Sequence, residues 1–198
     1  MDNLSKTYNI TMKQKLLYII FIVIYGINLN AQVSFSHAAG IKLLVPAFNS
    51  ASVLDIESEP TLGLMYSPRV NVIQFNNSTI SLGTHFAMAF EGSFNTNGNN
   101  SSSFVFDIPF VIEYNFGLAS NRRNTDKFGL YVGGGYGVHN SGGSETISSK
   151  ISGFIGNIGV RFFSFGVPFD IHASYLKGTG DTSNDSVFGL GLQYTFGF

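Results

Sequence analysis

A chain of 198 residues in which 12% are charged, 15% are aromatic and the formal net charge is −1 is short of the charge that a soluble surface needs, whereas a β-protein bathed in lipid can put Phe and Tyr outside. The sequence has 20 Phe, 23 Gly, no Trp and no Cys. The missing cysteine excludes disulfides and thiolate metal sites but leaves the compartment open, because oxidising compartments permit disulfides without requiring them.

The long apolar run lies at the front, where Lys13 and Lys15 precede Leu16 to Tyr25 and a polar stretch ending in Leu29-Asn30-Ala31. At roughly ten to fourteen residues it is shorter than the ~20 that span a bilayer as a helix, so it predicts a secretory signal cleaved after Ala31. Residues 1–31 are thus an N-terminal extension and signal, with Met12 an alternative start, and residues 32–198 are the mature protein. Cleavage removes Lys6, Lys13, Lys15 and Asp2 from totals of 11 basic and 12 acidic residues, leaving 8 and 11 and a net charge near −3. With no basic stripe or aromatic-basic motif, nucleic acid is not an expected partner. No second long apolar helix follows, so a membrane-spanning mature chain has to be β.

Ser34 to Val45 reads as a first strand, with Phe35, Ala39, Ile41 and Leu43 on one face and Ser36, Gly40 and Lys42 on the other. After a polar connection carrying Asp55, Glu57 and Glu59, Thr61 to Phe75 is extended through Leu62, Leu64, Tyr66, Val70 and Val72. Pro68 sits inside it and has no N–H for the ladder, which predicts a bulge or a split there. Asn76-Asn77-Ser78 is a turn signal, and Thr79 to Ser93 sets Ile80, Leu82, Phe86, Met88 and Phe90 against Ser81, Gly83, His85, Ala87, Ala89 and Glu91. The two runs make a hairpin.

Residues 95–102, NTNGNNSS, read as a loop; then Phe104, Phe106, Ile108, Phe110, Ile112, Tyr114 and Phe116 hold seven consecutive even positions against Val105, Asp107, Pro109, Val111, Glu113 and Asn115. A polar turn at Gly117 to Thr125 leads to Phe128, Leu130, Val132, Tyr136 and Val138, opposite a face that is nearly all glycine. Residues 139–150 are another loop, followed by Phe154, Ile158, Val160 and Phe162 opposite Gly153, Asn157 and Arg161. A corner at Ser164 to Pro168 gives Phe169, Ile171, Ala173 and Tyr175 opposite Asp170, His172 and Ser174. In the last strand, Ser186 to Phe198, the residues Phe188, Leu190, Leu192, Tyr194, Phe196 and Phe198 share one face.

Side-chain period two throughout, eight strands, and loops that are longer after odd strands than after even ones predict an all-β, eight-stranded antiparallel up-and-down transmembrane barrel with apolar residues toward lipid and the other face toward a polar lumen. A soluble lipocalin-type barrel would share the period with its apolar face inward, but would need a charged exterior that this chain does not have. The LNAQ leader end, the GLMYSPRVNVI and ISLGTHFAMAF hairpin and the GLGLQYTFGF terminus resemble small eight-stranded outer-membrane barrels of the OmpA/OmpX type, in particular barrel-domain proteins of Bacteroidota. The resemblance implies placement in the cell outer membrane among its lipids. It also implies a carboxy-terminal signal, Tyr194, Phe196 and Phe198, read by the outer-membrane barrel assembly machinery. It implies no activity, because that fold hosts adhesins, lipid-modifying enzymes and structural proteins alike.

Eight strands enclose little more than side chains, so lumen charges should be paired. Parity places Lys42, Arg69, Arg161, Glu91, Asp107, Glu113 and Asp170 inside, with His85 and His172. A symmetric corner sets Arg161 opposite Asp170, with Glu113 joining them in a structural charge network that includes Arg69 and His85, these last two close to opposite across the Asn76 turn. Glu91 and Asp107 should approach near the outer rim, where two carboxylates can hold a cation, although solvated acids are the ordinary reading. Some small barrels are lipid A deacylases with a His-x-Ser pair on the membrane face; His139-Asn140-Ser141, with Glu145 nearby, has that spacing but the lumen parity. There is no phosphate loop, metal spacing or nucleophile elbow, and so no catalytic, cofactor or metal residue is assigned. The reading is a barrel with a structural or interaction role carried by its outer loops, whose ligand the sequence does not name. The alternatives are a narrow solute channel, a lipid A-modifying enzyme and a secreted soluble ligand-binding barrel.

Overall fold

The computed structural model describes residues 33–47, 60–94, 100–121, 124–143 and 149–197, with the side chains of 91–94, 100–102 and 143 outside that description. The signal and its cleavage after Ala31, the loop acids Asp55, Glu57, Glu59 and Glu145, and Phe198 lie outside the described residues.

Ten strands run in chain order: β1 (Ser34–Ala47), β2 (Thr61–Tyr66), β3 (Arg69–Gln74), β4 (Ser78–Gly83), β5 (Phe86–Phe94), β6 (Asn100–Gly117), β7 (Phe128–Gly143), β8 (Ser149–Ser164), β9 (Val167–Gly178) and β10 (Ser186–Phe196). They form a ring of eight staves, because β2 with β3 and β4 with β5 each make one interrupted stave, and β10 pairs antiparallel with β1 to close it. The expected split at Pro68 is present. Lacking an N–H, the proline passes the ladder to its neighbours: Ser67 exchanges both backbone bonds with Ala38 (3.1 and 2.7 Å), and the Pro68 carbonyl accepts from Thr84 N–H at 3.2 Å. The interruption is thereby transmitted to the next stave, which breaks at Thr84 and His85.

A single row of paired residues measures the stagger of the ring. From Gly129 it passes through Arg161, Asp170, Gln193, Gly40, Met65, Ala87 and Asp107 and returns to β7 at His139, ten residues further along. That shear tilts the strands by about 35–45° and closes a barrel just wide enough for side chains. Space is tight enough that a Cβ on Gly135 would stand 1.8 Å from the Phe110 carbonyl oxygen. The corner between β8 and β9 is a two-residue turn with Phe165 at φ 52° and Gly166 at φ 80°, the signs of a type I′ hairpin.

Two lengths differ from expectation. Asn100 to Ser102 and His139 to Gly143 are strand rather than loop, because β6 and β7 keep pairing through their polar ends, where Ser103 faces Gly143. Backbone pairing needs no apolar side chains, so composition overestimated these loops. The middle turn, 118–127, is consequently longer than the 95–99 and 144–148 connections on the opposite rim.

The faces separate cleanly. Leu64, Phe110 and Phe154 are 68, 73 and 70% exposed, within a belt that runs around every stave. An apolar surface this continuous is stable in lipid and not in water. The described charges lie in the lumen, in the 118–127 turn, or at the rim opposite the strand ends Ser34 and Phe196, here the loop rim.

Candidate functional site

The lumen holds the chain's buried polar chemistry in three tiers. At the terminal rim the 118–127 turn folds inward: Leu118, Ala119 and Ser120 are buried, with Ala119 at φ 56°. The Asn121 amide donates to the Phe75 and Asn76 carbonyls at 3.0 and 3.2 Å, tying this turn to the β3–β4 turn. What composition marks as a polar turn is in part the floor of the barrel.

Above the floor lies the main cluster. Arg69 uses its whole guanidinium, donating from Nε to Ser36 Oγ (2.6 Å), from Nη1 to Asn115 Oδ1 (2.8 Å) and from Nη2 to the Ala119 carbonyl (2.6 Å). The β8–β9 register places Arg161 opposite Asp170. Arg161 Nε donates to Asp170 Oδ2 at 2.9 Å, and its guanidinium lies 4.3 Å over the Tyr131 ring, whose hydroxyl donates to Asp170 Oδ1 at 2.9 Å. Glu113 Oε1 takes His85 Nε2 at 2.7 Å and the Asn157 amide, while His85 Nδ1 meets Ser67 Oγ at 2.9 Å. Glu113 therefore joins the cluster through His85 and Asn157, not through a bond to Arg161. Arg69 and His85 lie close to opposite, two residues out of register. Arg69 pairs with Gly83, and the break at Thr84 and His85 turns the histidine to partners of its own.

Toward the loop rim, Lys42 Nζ donates to Asp107 Oδ2 at 2.6 Å, and His139 Nδ1 stands 3.8 Å from Asp107 Oδ1. This corrects the expected approach of Glu91 to Asp107. Glu91 pairs with Ser103 and Asp107 with Ala87, four residues apart along the same two strands, and Asp107 is a buried partner of lysine. The side chain of Glu91 lies outside the described residues. Beyond this tier the described lumen residues are mainly apolar, with Leu44 past Lys42, Val105 past Asp107 and Leu176 past His172 in one cluster with Ile151, Ile155 and Val187. The expectation of a polar lumen missed this layer, although its signal was present: large aliphatic residues at lumen parity on five strands.

Among the described residues the lumen charges balance, Lys42, Arg69 and Arg161 against Asp107, Glu113 and Asp170, all buried. A cavity of about 10 Å³ borders Arg69, His85, Glu113, Arg161 and Asp170, room for about one water and no solute. Arg161 Nη1 and both ring nitrogens of His139 and His172 have no protein hydrogen-bond partner, and the His85 and His172 rings stack at 4.8 Å. Among the described residues no group of three His, Asp or Glu is arranged to hold a metal. His139 faces the lumen, and Ser141 Oγ bonds Ser149 Oγ at 2.9 Å. A lipid-facing His–Ser pair is therefore not formed there. Tyr194 and Phe196 of the expected terminal signal are exposed on the lipid face with rings stacked at 5.7 Å.

No protein-family model and no curated protein sequence matches the chain. Its fold is similar to the crystal structure of Ail, the attachment invasion locus protein of Yersinia pestis, in complex with the heparin analogue sucrose octasulfate. The TM-score is 0.52 and the identity 18%, over 83% of this chain and 99% of that one. It is also similar to Neisserial surface protein A, with TM-score 0.50 and 13% identity over 84% and 99%. Ring, belt and likeness together define an eight-stranded transmembrane β-barrel of the outer-membrane kind. An apolar belt on this fold belongs in the lipid of the cell outer membrane.

Proposed function

We propose that the barrel is a side-chain-filled scaffold and that its role, structural or in recognition, is carried by the loop rim facing the exterior. What supports this reading is that, among the described lumen residues, three cations stand with three carboxylates beneath an aliphatic layer and above an inward-folded turn. Unpaired charge in so narrow an interior would be costly, so the network acts as a plug. Strand length supports the exterior role: β6, β7 and β8 run for 18, 16 and 16 residues, where about nine to eleven cross a bilayer, leaving a polar wall standing beyond the lipid.

Charge narrows the partner. By chain order the loop rim carries Asp55, Glu57, Glu59, Glu91, Glu145, Asp181 and Asp185 against Lys150 and Lys177. Ail is described with a sulfated heparin analogue; an acidic rim disfavours such a ligand here, so the exterior partner is neutral or cationic. Export would proceed through the leader and the terminal signal, with the barrel assembly machinery as the transient partner. Purified protein in planar bilayers tests the plug: the expected result is no stepwise conductance, and reproducible single-channel steps would replace the scaffold with a narrow channel.

A further inference from the structure

Two adjacent staves are interrupted side by side, one at Pro68 and the next at Thr84 and His85, and three side chains meet behind that interruption. Ser67 Oγ lies 2.9 Å from His85 Nδ1, and His85 Nε2 lies 2.7 Å from Glu113 Oε1. An ionised carboxylate only accepts, so a neutral ring carries its proton on Nε2 toward Glu113, and the Nδ1 lone pair accepts from the Ser67 hydroxyl. A hydroxyl, a base within hydrogen-bond reach and a third group that orients the base make up the arrangement that activates a serine nucleophile. Successive members are 18 and 28 residues apart in the chain, with no sequence motif around Ser67, so the fold alone assembles them.

The cavity beside Arg161 borders all three and is also lined by His37, Pro68 and Thr84, half-buried residues of the outer wall. At about 10 Å³ it admits one oxygen-sized atom. Among the described residues three donors on its lining have no hydrogen-bond partner, Arg161 Nη1, Thr84 Oγ1 and Thr195 Oγ1. The carboxylates on its border are already engaged, Glu113 by His85, and Asp170 by Arg161 and Tyr131. Unused donors around a hole of that size, next to an activated hydroxyl, suit the oxyanion that develops in acyl transfer. We propose that Ser67, His85 and Glu113 form an esterase site at the interrupted wall, which takes a carboxylic ester from the outer side and admits only its carbonyl oxygen to the cavity. Ser67 and His85 are the catalytic pair, and Glu113 positions the base. Ser67 Oγ bonds to the carbonyl carbon as its proton passes to His85 Nδ1; the bond to the alcohol oxygen then breaks, and the alcohol leaves with that proton. Water attacks the acyl-serine, its proton passing through His85 back to Ser67 Oγ, and the carboxylic acid is released. This activity goes beyond the scaffold reading and does not depend on what the loop rim binds.

The test takes the full chain refolded in detergent, with a small fluorophosphonate and p-nitrophenyl acetate as probes, and the same protein in phosphatidylcholine vesicles assayed for released fatty acid. Peptide mass spectrometry should place one phosphonate on Ser67. Ser67→Ala should lose the label and at least about 100-fold in nitrophenolate release, while keeping the heat-modified gel mobility of a folded barrel. Glu113→Gln should lower kcat by roughly 100- to 10,000-fold with KM unchanged, a split that loss of packing alone would not produce. Fatty acid released from vesicles makes a membrane lipid the source of the ester, and turnover of the soluble probe alone makes it a free ester. Wild-type barrel that is folded and carries no phosphonate on Ser67 overturns the proposal, as does folded S67A that hydrolyses the ester at the wild-type rate. Labelling of the wild type needs no variant, so the proposal stays refutable where S67A does not fold.

Discussion

Arg161→Ala is the most informative single change. The arginine is 2% exposed, and its loss removes the 2.9 Å bond to Asp170 and the guanidinium over Tyr131, leaving a carboxylate that is 1% exposed with the Tyr131 hydroxyl as its remaining side-chain partner. Deleting one member of a buried pair costs about 3–5 kcal/mol. The adjoining cavity offers Asp170 some water, which puts the expectation near ~3 kcal/mol. The double variant R161A/D170A removes the stranded charge, so it should be less destabilised than the sum of the single changes, with a coupling of roughly 2 kcal/mol. Urea unfolding of barrel refolded into lipid vesicles, followed by the mobility of unboiled samples on gels, measures all four proteins. A single variant within about 0.5 kcal/mol of wild type, or strict additivity in the double, would refute a structural role for the pair.

Glycines on β7 and β8 should behave in opposite ways: Gly135→Ala, whose Cβ meets the Phe110 carbonyl, should abolish the heat-modifiable form, while Gly156→Ala, with nothing within 4 Å, should fold normally. On the lipid face, Leu192→Arg should cost about 2–4 kcal/mol in vesicle unfolding, as expected for a cation near the bilayer midplane; a neutral outcome would mean that this face is not in lipid. Lys42→Ala should destabilise by about 3 kcal/mol or more by stranding Asp107, and Lys42→Ala/Asp107→Ala should recover part of that in the same assay.

Period two was enough to place nearly every side chain inside or outside, because a pleated strand leaves no third direction. Pro68 announced its own interruption through its missing N–H. The matching break at Thr84 and His85 had no local signal, since it is imposed by the neighbouring stave. Arg161 and Asp170 could be aligned because a two-residue corner fixes their register. Lys42 and Asp107, 65 residues apart, meet across the lumen by virtue of the ten-residue shear, which no local pattern encodes. The partners of Glu113 were hidden for the same reason. The aliphatic upper layer was legible in residues such as Ile151 and Leu176, but an amphipathic reading that assigns one face to lipid tends to count the other as polar.

The closing pair of strands bears on how the barrel comes into being. β1 and β10 join residues as distant in the chain as His37 and Phe196, so the ring cannot seal until β10 has been made, and until then both strands present open hydrogen-bonding edges. Contacts of such long sequence separation make folding slow. The lumen pairs then complete only as the last seam shuts, so the barrel should assemble and come apart as one cooperative unit.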